Sequence, residues 1–162
     1  MDIVLLIARL LLAIVFLVAG FGKLADLAGS QQAMRDFGVP AVLANPFGVL
    51  LPLAELVVAV ALIPSAFAWW GALGAVVLLL IFVAGIGYNL ARGRTPDCHC
   101  FGQIHSSPAG WPTLIRNLIL AAIAGFVVWH PGYSSAGTDI GSWFMSLAVP
   151  QRVELIVGVI IV

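Results

Sequence analysis

The sequence predicts an all-α integral membrane protein: a four-helix bundle, with a fifth transmembrane helix possible at its C-terminal end. Three observations predict it. Of 162 residues, 62% are apolar and 9% charged, with a mean hydropathy of +1.14, whereas a soluble domain is about half apolar and about a quarter charged. The apolar residues come in blocks of bilayer length, since about 20 helical residues cross the hydrocarbon layer. Short segments gathering Pro, Gly and charge separate the blocks. The lipid bilayer is therefore the solvent for much of the chain. Formal net charge is zero with no run of like charge, which argues against nucleic acid as a partner. Two cysteines are too few for a disulfide scaffold.

The first block, residues 3–21, is apolar except for Arg9. Met1-Asp2 offers no basic n-region and no Ala-x-Ala site follows, so this block reads as a retained helix and not a secretory signal. Gly20-Phe-Gly22-Lys23 is expected to end it with flexible backbone and a cation that snorkels to the interface. Residues 26–46 mix Gln31, Gln32, Arg35 and Asp36 with Met34, Phe37 and Val39. That pattern suits a short amphipathic helix in the headgroup layer, stopped by Gly38 and Pro40.

A second span is expected over residues 47–63, interrupted by Pro52 and Glu55. Residues 64–70 read as a tight turn whose Trp69 and Trp70 fit an aromatic belt. In the third span, residues 71–90, the small residues Gly71, Gly74, Ala75, Gly85 and Gly87 would let a neighbouring helix come close. Residues 113–129 form a short fourth span, with Trp111 and Trp129 at its ends. The chain thus divides into a membrane domain over 1–130 and a connector with an apolar run over 131–162. That run ends at Ile160-Ile-Val162. Either a fifth span finishes there, or the chain leads into a further C-terminal module.

Arg9 and Glu55 lie inside expected spans, where an unpaired charge costs about 2.5–3.5 kcal/mol on insertion scales. If the first two spans form an antiparallel hairpin closed at Lys23 and Phe47, Glu55 lies roughly 12 Å deep and Arg9 roughly 20 Å deep. The two side chains could then span the gap and pair, with Lys23 approaching Glu55 from the other side. Such a group either locks two helices or lines a polar path.

Chemistry concentrates in Arg92-Gly-Arg-Thr-Pro-Asp-Cys98-His-Cys100-Phe-Gly102. A disulfide prefers Cα atoms roughly 5.5–6 Å apart, so a bridge from Cys98 to Cys100 needs His99 to bend the backbone. A strained bridge is readily reduced, which suits an exchange centre better than a staple. Arg92, Arg94 and a protonated His99 would favour thiolate. Two other readings stay open. Cys98, His99, Cys100 and His105 could together hold a soft metal, since thiolate and imidazole suit zinc or copper(I). In that case the protein is a small transporter or soft-metal-handling protein with a Cys/His capture loop. Alternatively, the thiols are unreactive and the protein is a non-catalytic assembly factor.

Arg9 through Gly20-Phe-Gly-Lys23, then Pro52-Leu-Ala-Glu55, then Cys98-His-Cys100-Phe-Gly102 with Trp111 and Arg116-Asn117, resembles the methylamine-utilisation MauE family. That family lies within the wider DoxX/DoxD-like membrane proteins. The resemblance runs over roughly residues 9–129, and the Cys-x-Cys-Phe-Gly patch followed by Arg-Asn is its most specific part.

It implies a four- or five-helix membrane protein, in the bacterial inner membrane, that assists maturation of exported disulfide-containing clients. A thioredoxin-like protein or fused domain is the implied partner. Cys98 and Cys100 map to the family's cysteine pair, and Arg9, Lys23, Glu55, Arg116 and Asn117 to its polar positions. The bundle with cysteines near a membrane face is also similar to vitamin K epoxide reductase and its bacterial relatives, which pass electrons between thiols and quinones. This sequence lacks their Cys-x-x-Cys. A quinone acceptor could slot beside Trp111 or Phe101, but no residue compels one.

Orientation pulls two ways. The face holding Lys23, Arg35, Arg92 and Arg94 would be cytoplasmic by the positive-inside rule. Disulfide exchange with exported clients needs the cysteines on the oxidising side. The oxidising face is the expectation adopted, because a cation recruited to a thiolate or carboxylate is a poor topology marker.

Overall fold

The apolar blocks become helices that outrun their expected ends, in a computed structural model that describes residues 2–93, 97–98, 107–108 and 110–130. In chain order they are α1 (Asp2–Ala25), α2 (Leu27–Asp36), α3 (Ala41–Leu62), α4 (Ala68–Ala91) and α5 (Trp111–Trp129). Between α4 and α5, β1 (Asp97–Cys98) and β2 (Ser107–Pro108) form a two-residue antiparallel ladder. The protein is an all-α membrane bundle. Four of the helices, α1, α3, α4 and α5, are long and apolar enough to span a bilayer. The expected fifth span lies outside the described residues.

The four long helices close into a ring in which α1 packs on α3 and α5, and α4 on α3 and α5. Leu12, Phe16, Ala59, Leu62, Ala75, Leu79, Leu120 and Val127 fill its centre. Outward positions are apolar too: Ile7, Ile14, Val57, Ile81 and Ile119 are more than half exposed, the pattern of helices whose outer solvent is lipid. Trp70 and Trp129 are exposed near one end of the ring and Trp111 at the other, as an aromatic belt requires.

Three boundaries differ from expectation for physical reasons. Gly20 and Gly22 do not stop α1, which continues to Ala25. A Cβ on Gly20 would lie 2.8 Å from the Leu56 side chain and 3.1 Å from the Pro52 carbonyl oxygen, so here Gly buys close helix approach. α3 begins at Ala41, well before Phe47, and runs unbroken through Pro46 and Pro52. Membrane helices tolerate proline where neighbours satisfy the freed backbone. Trp69 and Trp70 belong to the first turn of α4, not to a turn before it, and their rings meet edge-on at 4.8 Å.

Among the small residues of α4, Gly71 performs the expected packing, for a Cβ there would lie 2.8 Å from the Leu62 nitrogen. Gly87 has nothing within 4 Å and Gly85 only the Phe37 ring, so neither marks a tight helix crossing.

α2 is the amphipathic element. The Asp26 side chain accepts from the Gly29 N–H at 2.9 Å and starts it. It ends where Val39 N–H bonds the Met34 carbonyl and Gly38 takes a φ of 90°, a glycine-terminated cap, with Pro40 opening α3. Its buried Ser30 and Ala33 turn towards the bundle, and the helix packs against α3 and α1.

Candidate functional site

Apart from Arg9, the buried polar residues of the spans, Lys23, Glu55, Asn89 and Asn117, gather towards one end of the ring, where α1 and α4 finish and α5 begins. Lys23 near the end of α1 donates from Nζ to Oε1 of Glu55 on α3. Glu55 is 1% exposed and Lys23 7%, so the pair is desolvated on every side. The Lys23 ammonium also sits 4.9 Å from the centre of the Phe82 ring, a cation–π contact from α4. Glu55 Oε2 is buried and has no hydrogen-bond partner among the described residues. The Ser30 hydroxyl donates to the Lys23 carbonyl at 3.0 Å, satisfying backbone left open as α1 ends. Asn89 and Asn117 each return a side-chain N–H to the carbonyl four residues back, Gly85 at 3.0 Å and Thr113 at 2.8 Å.

The expected pairing of Arg9 with Glu55 is corrected by this arrangement. Arg9 donates from Nε and Nη2 to the Leu62 carbonyl at 3.1 Å and from Nη2 to the Ile63 carbonyl at 2.9 Å. It closes the C-terminal end of α3, where the helix dipole favours a cation. The reason is register. Gly20 faces Pro52 and Leu56, so Glu55 lies opposite the turn just before Lys23, roughly 6 Å from it along the axis against roughly 15 Å from Arg9. The earlier start of α3 produces that shift.

Around the cysteine loop, β1 holds the Cys98 backbone opposite Ser107 and packs against α2. Arg92, which caps α4, lies with its guanidinium 4.3 Å from the centre of the Tyr88 ring. Arg116 stands on the first turns of α5, one residue before buried Asn117. Arg94, His99, Cys100, Phe101 and His105 lie outside the described residues, as does the side chain of Cys98. The soft-metal set of Cys98, His99, Cys100 and His105 falls there too. Among the described residues no group of three His, Cys, Asp or Glu side chains is placed to hold a metal. Ser30, Phe82, Tyr88 and Asn89 are neighbours that sequence reasoning missed. Asn89 alone carried a signal, as a lone amide deep in an apolar run.

The family profile described as Methylamine utilisation protein MauE matches residues 1–130. The chain belongs to the MauE family. It is 36% identical over 118 residues to a methylamine utilization protein MauE of Paracoccus denitrificans, covering 72% of this chain and 63% of that relative. A MauE of Methylophilus methylotrophus is 31% identical over 160 residues, 93% of this chain and 84% of its own length. The inner membrane protein YqjF of Escherichia coli is 44% identical over 55 residues, about a third of each chain. No solved structure shows significant similarity. The matched region of this MauE-family chain takes in every described helix and the whole cysteine loop, so the family and the bundle are coextensive.

Proposed function

We propose that this MauE-family membrane protein exchanges dithiol for disulfide at Cys98 and Cys100 with a thioredoxin-like partner or fused domain. The exchange supports maturation of exported, disulfide-containing proteins in methylamine utilisation. The observation that carries the reading is the β1–β2 ladder. It ties the Cys98 backbone to Ser107 and against α2, directly at the end of the bundle where Lys23, Glu55 and Asn117 are gathered. A cysteine whose backbone is held by a ladder at the end of the bundle is a fixed point at which exchange with a partner can recur.

In the step itself one cysteine thiolate attacks a sulfur of the partner's disulfide and expels the other as thiolate. The second cysteine then attacks the mixed disulfide. The protein gains a disulfide, the partner becomes a dithiol, and two electrons pass with no net loss of protons. The reverse direction uses the same atoms. Arg92, Arg94, His99 and Arg116 are the proposed source of positive charge for the thiolates, Lys23 and Glu55 form the polar pair at that end of the bundle, and Arg9 holds the far end of α3.

The bacterial inner membrane is the proposed location, supported by the likeness to an inner membrane protein over the matched 55 residues. The cysteine face is proposed to be extracytoplasmic. Lys23 is paired with Glu55 and Arg92 lies over the Tyr88 ring, so both cations have a role within the bundle besides any in setting topology.

Trapping tests the chemistry. Cys98→Ser and Cys100→Ser, expressed singly, should leave one variant that accumulates a mixed disulfide with a thioredoxin-like protein, resolved by reductant. Full client maturation in both variants refutes the reading. A membrane-impermeant maleimide should label the cysteines in intact cells, and labelling only after lysis refutes the proposed face.

A further inference from the structure

The cysteine ladder rests on α2. β1, which carries the Cys98 backbone, packs against α2, and α2 in turn packs against α3 and α1. The inward stripe of α2 and its cap is Ser30, Ala33, Met34 and Phe37, the i, i+3, i+4, i+7 spacing of one helix face. That stripe does not close on a filled core. It lines a cavity of about 570 Å³ whose other walls belong largely to α3 and α4.

A helix laid over a void is positioned by the places where it does touch, and three can be named. Near its start, the buried Ser30 hydroxyl donates to the Lys23 carbonyl at 3.0 Å and fastens α2 to α1. One residue on, Gln31 lies close over Gly48 of α3: a Cβ at Gly48 would be 2.6 Å from the Gln31 Cγ and 3.3 Å from its Cα. At the far end, Phe37 packs on Ile86 of α4. With no packed core beneath it, a change at one of these contacts shifts the helix and what it carries, because segments with few buried apolar contacts open at low cost.

We infer that α2 is the positioning element of the exchange centre, with Ser30 and Gly48 as positioning residues whose contacts seat α2 on α1 and α3 and so fix the Cys98 backbone for attack. The inference rests on the thiol-exchange reading and names what holds its sulfur-bearing strand in place. The effect on rate is large, since a misplacement of about 1 Å caused far from the chemistry can cost about a hundredfold.

The purified full chain in lipid nanodiscs tests it with two readouts. Backbone hydrogen exchange over residues 95–109 reports the ladder, and the rate at which the oxidised chain reacts with reduced thioredoxin reports the chemistry. Gly48→Leu wedges α2 away from α3. It should speed hydrogen exchange at the ladder and slow the thioredoxin reaction, each by about tenfold or more, while α1, α4 and α5 keep their protection. Ser30→Ala, a smaller change, should move both in the same directions by about threefold or more. Ser30→Thr keeps the hydroxyl and its added methyl group has the cavity to enter, so it should restore both wild-type values. Gly125→Leu, with open space around it on α5, should move neither. A ladder indifferent to both Gly48→Leu and Ser30→Ala, or a thioredoxin rate unmoved where the ladder has loosened, overturns the inference. A ladder that loosens as expected in a chain whose wild type does not react with thioredoxin overturns the thiol reading instead, and leaves the support of β1 by α2 standing.

Discussion

Replacing Lys23 by Met tests the polar centre most directly. The change removes the hydrogen-bonded partner of a carboxylate that is 1% exposed and whose other oxygen has no partner among the described residues. Truncating one member of a buried ion pair typically costs about 3–5 kcal/mol, because the survivor keeps its desolvation penalty and loses its compensation. That is a drop of more than about a hundredfold in the folded-to-unfolded ratio. Glu55→Leu should cost a similar amount for the mirrored reason. The double variant removes both charges and both penalties, and replacing a buried pair by apolar groups of similar size is often close to neutral. The singles should therefore be strongly non-additive, with a coupling of about 2 kcal/mol or more. Reversible unfolding in mixed micelles, driven by rising denaturing detergent and followed by circular dichroism, measures all four corners of the cycle. A double variant as unstable as the sum of the singles refutes the assignment of Lys23 and Glu55 as one interacting unit.

Arg9→Met removes three hydrogen bonds from the carbonyls of Leu62 and Ile63, and the same unfolding assay should show a loss of about 2–4 kcal/mol. Arg9→Lys keeps the charge without the fork and should fall between. Gly71→Ala places a Cβ 2.8 Å from backbone nitrogen of α3 and should cost about 1–3 kcal/mol, whereas Gly87→Ala, with open space around it, should be neutral or gain up to about 1 kcal/mol. Ser30→Ala leaves the Lys23 carbonyl unpaired and should cost about 1 kcal/mol, read as a lowered midpoint without change in helical content.

The membrane class and the number of long helices were legible because hydrocarbon blocks of bilayer length have few other uses. Helix ends were less so. Gly20, Gly22 and Pro46 carry stop signals calibrated on water, where an exposed amide finds a solvent partner. In lipid it does not, and the helix continues instead. Lys23 and Glu55 were visible as charges stranded in apolar runs and were expected to approach each other, but the exclusion of Arg9 was not legible, because a few residues of helix register decide which cation lies nearest. Arg9 shows the same limit from the other side. Its partners are main-chain oxygens at the end of α3, which leave no mark in the side-chain sequence. Ser30 reaches the site because α2 folds back over the bundle, and Phe82 because α4 packs into the ring beside α1, tertiary events that no local pattern announces.

The two attachments between α1 and α3 bear on how the chain enters its membrane. Lys23 meets Glu55 near one end of the helix pair, and Arg9 meets the final carbonyls of α3 near the other. Handed to the bilayer alone, α3 would carry the Glu55 carboxylate without Lys23, and α1 the Arg9 guanidinium without the α3 carbonyls, a charge at span depth being disfavoured by about 2.5–3.5 kcal/mol. Entering the bilayer together as a hairpin would offset both costs, so the same contacts that hold the folded pair also favour the two helices inserting as one unit.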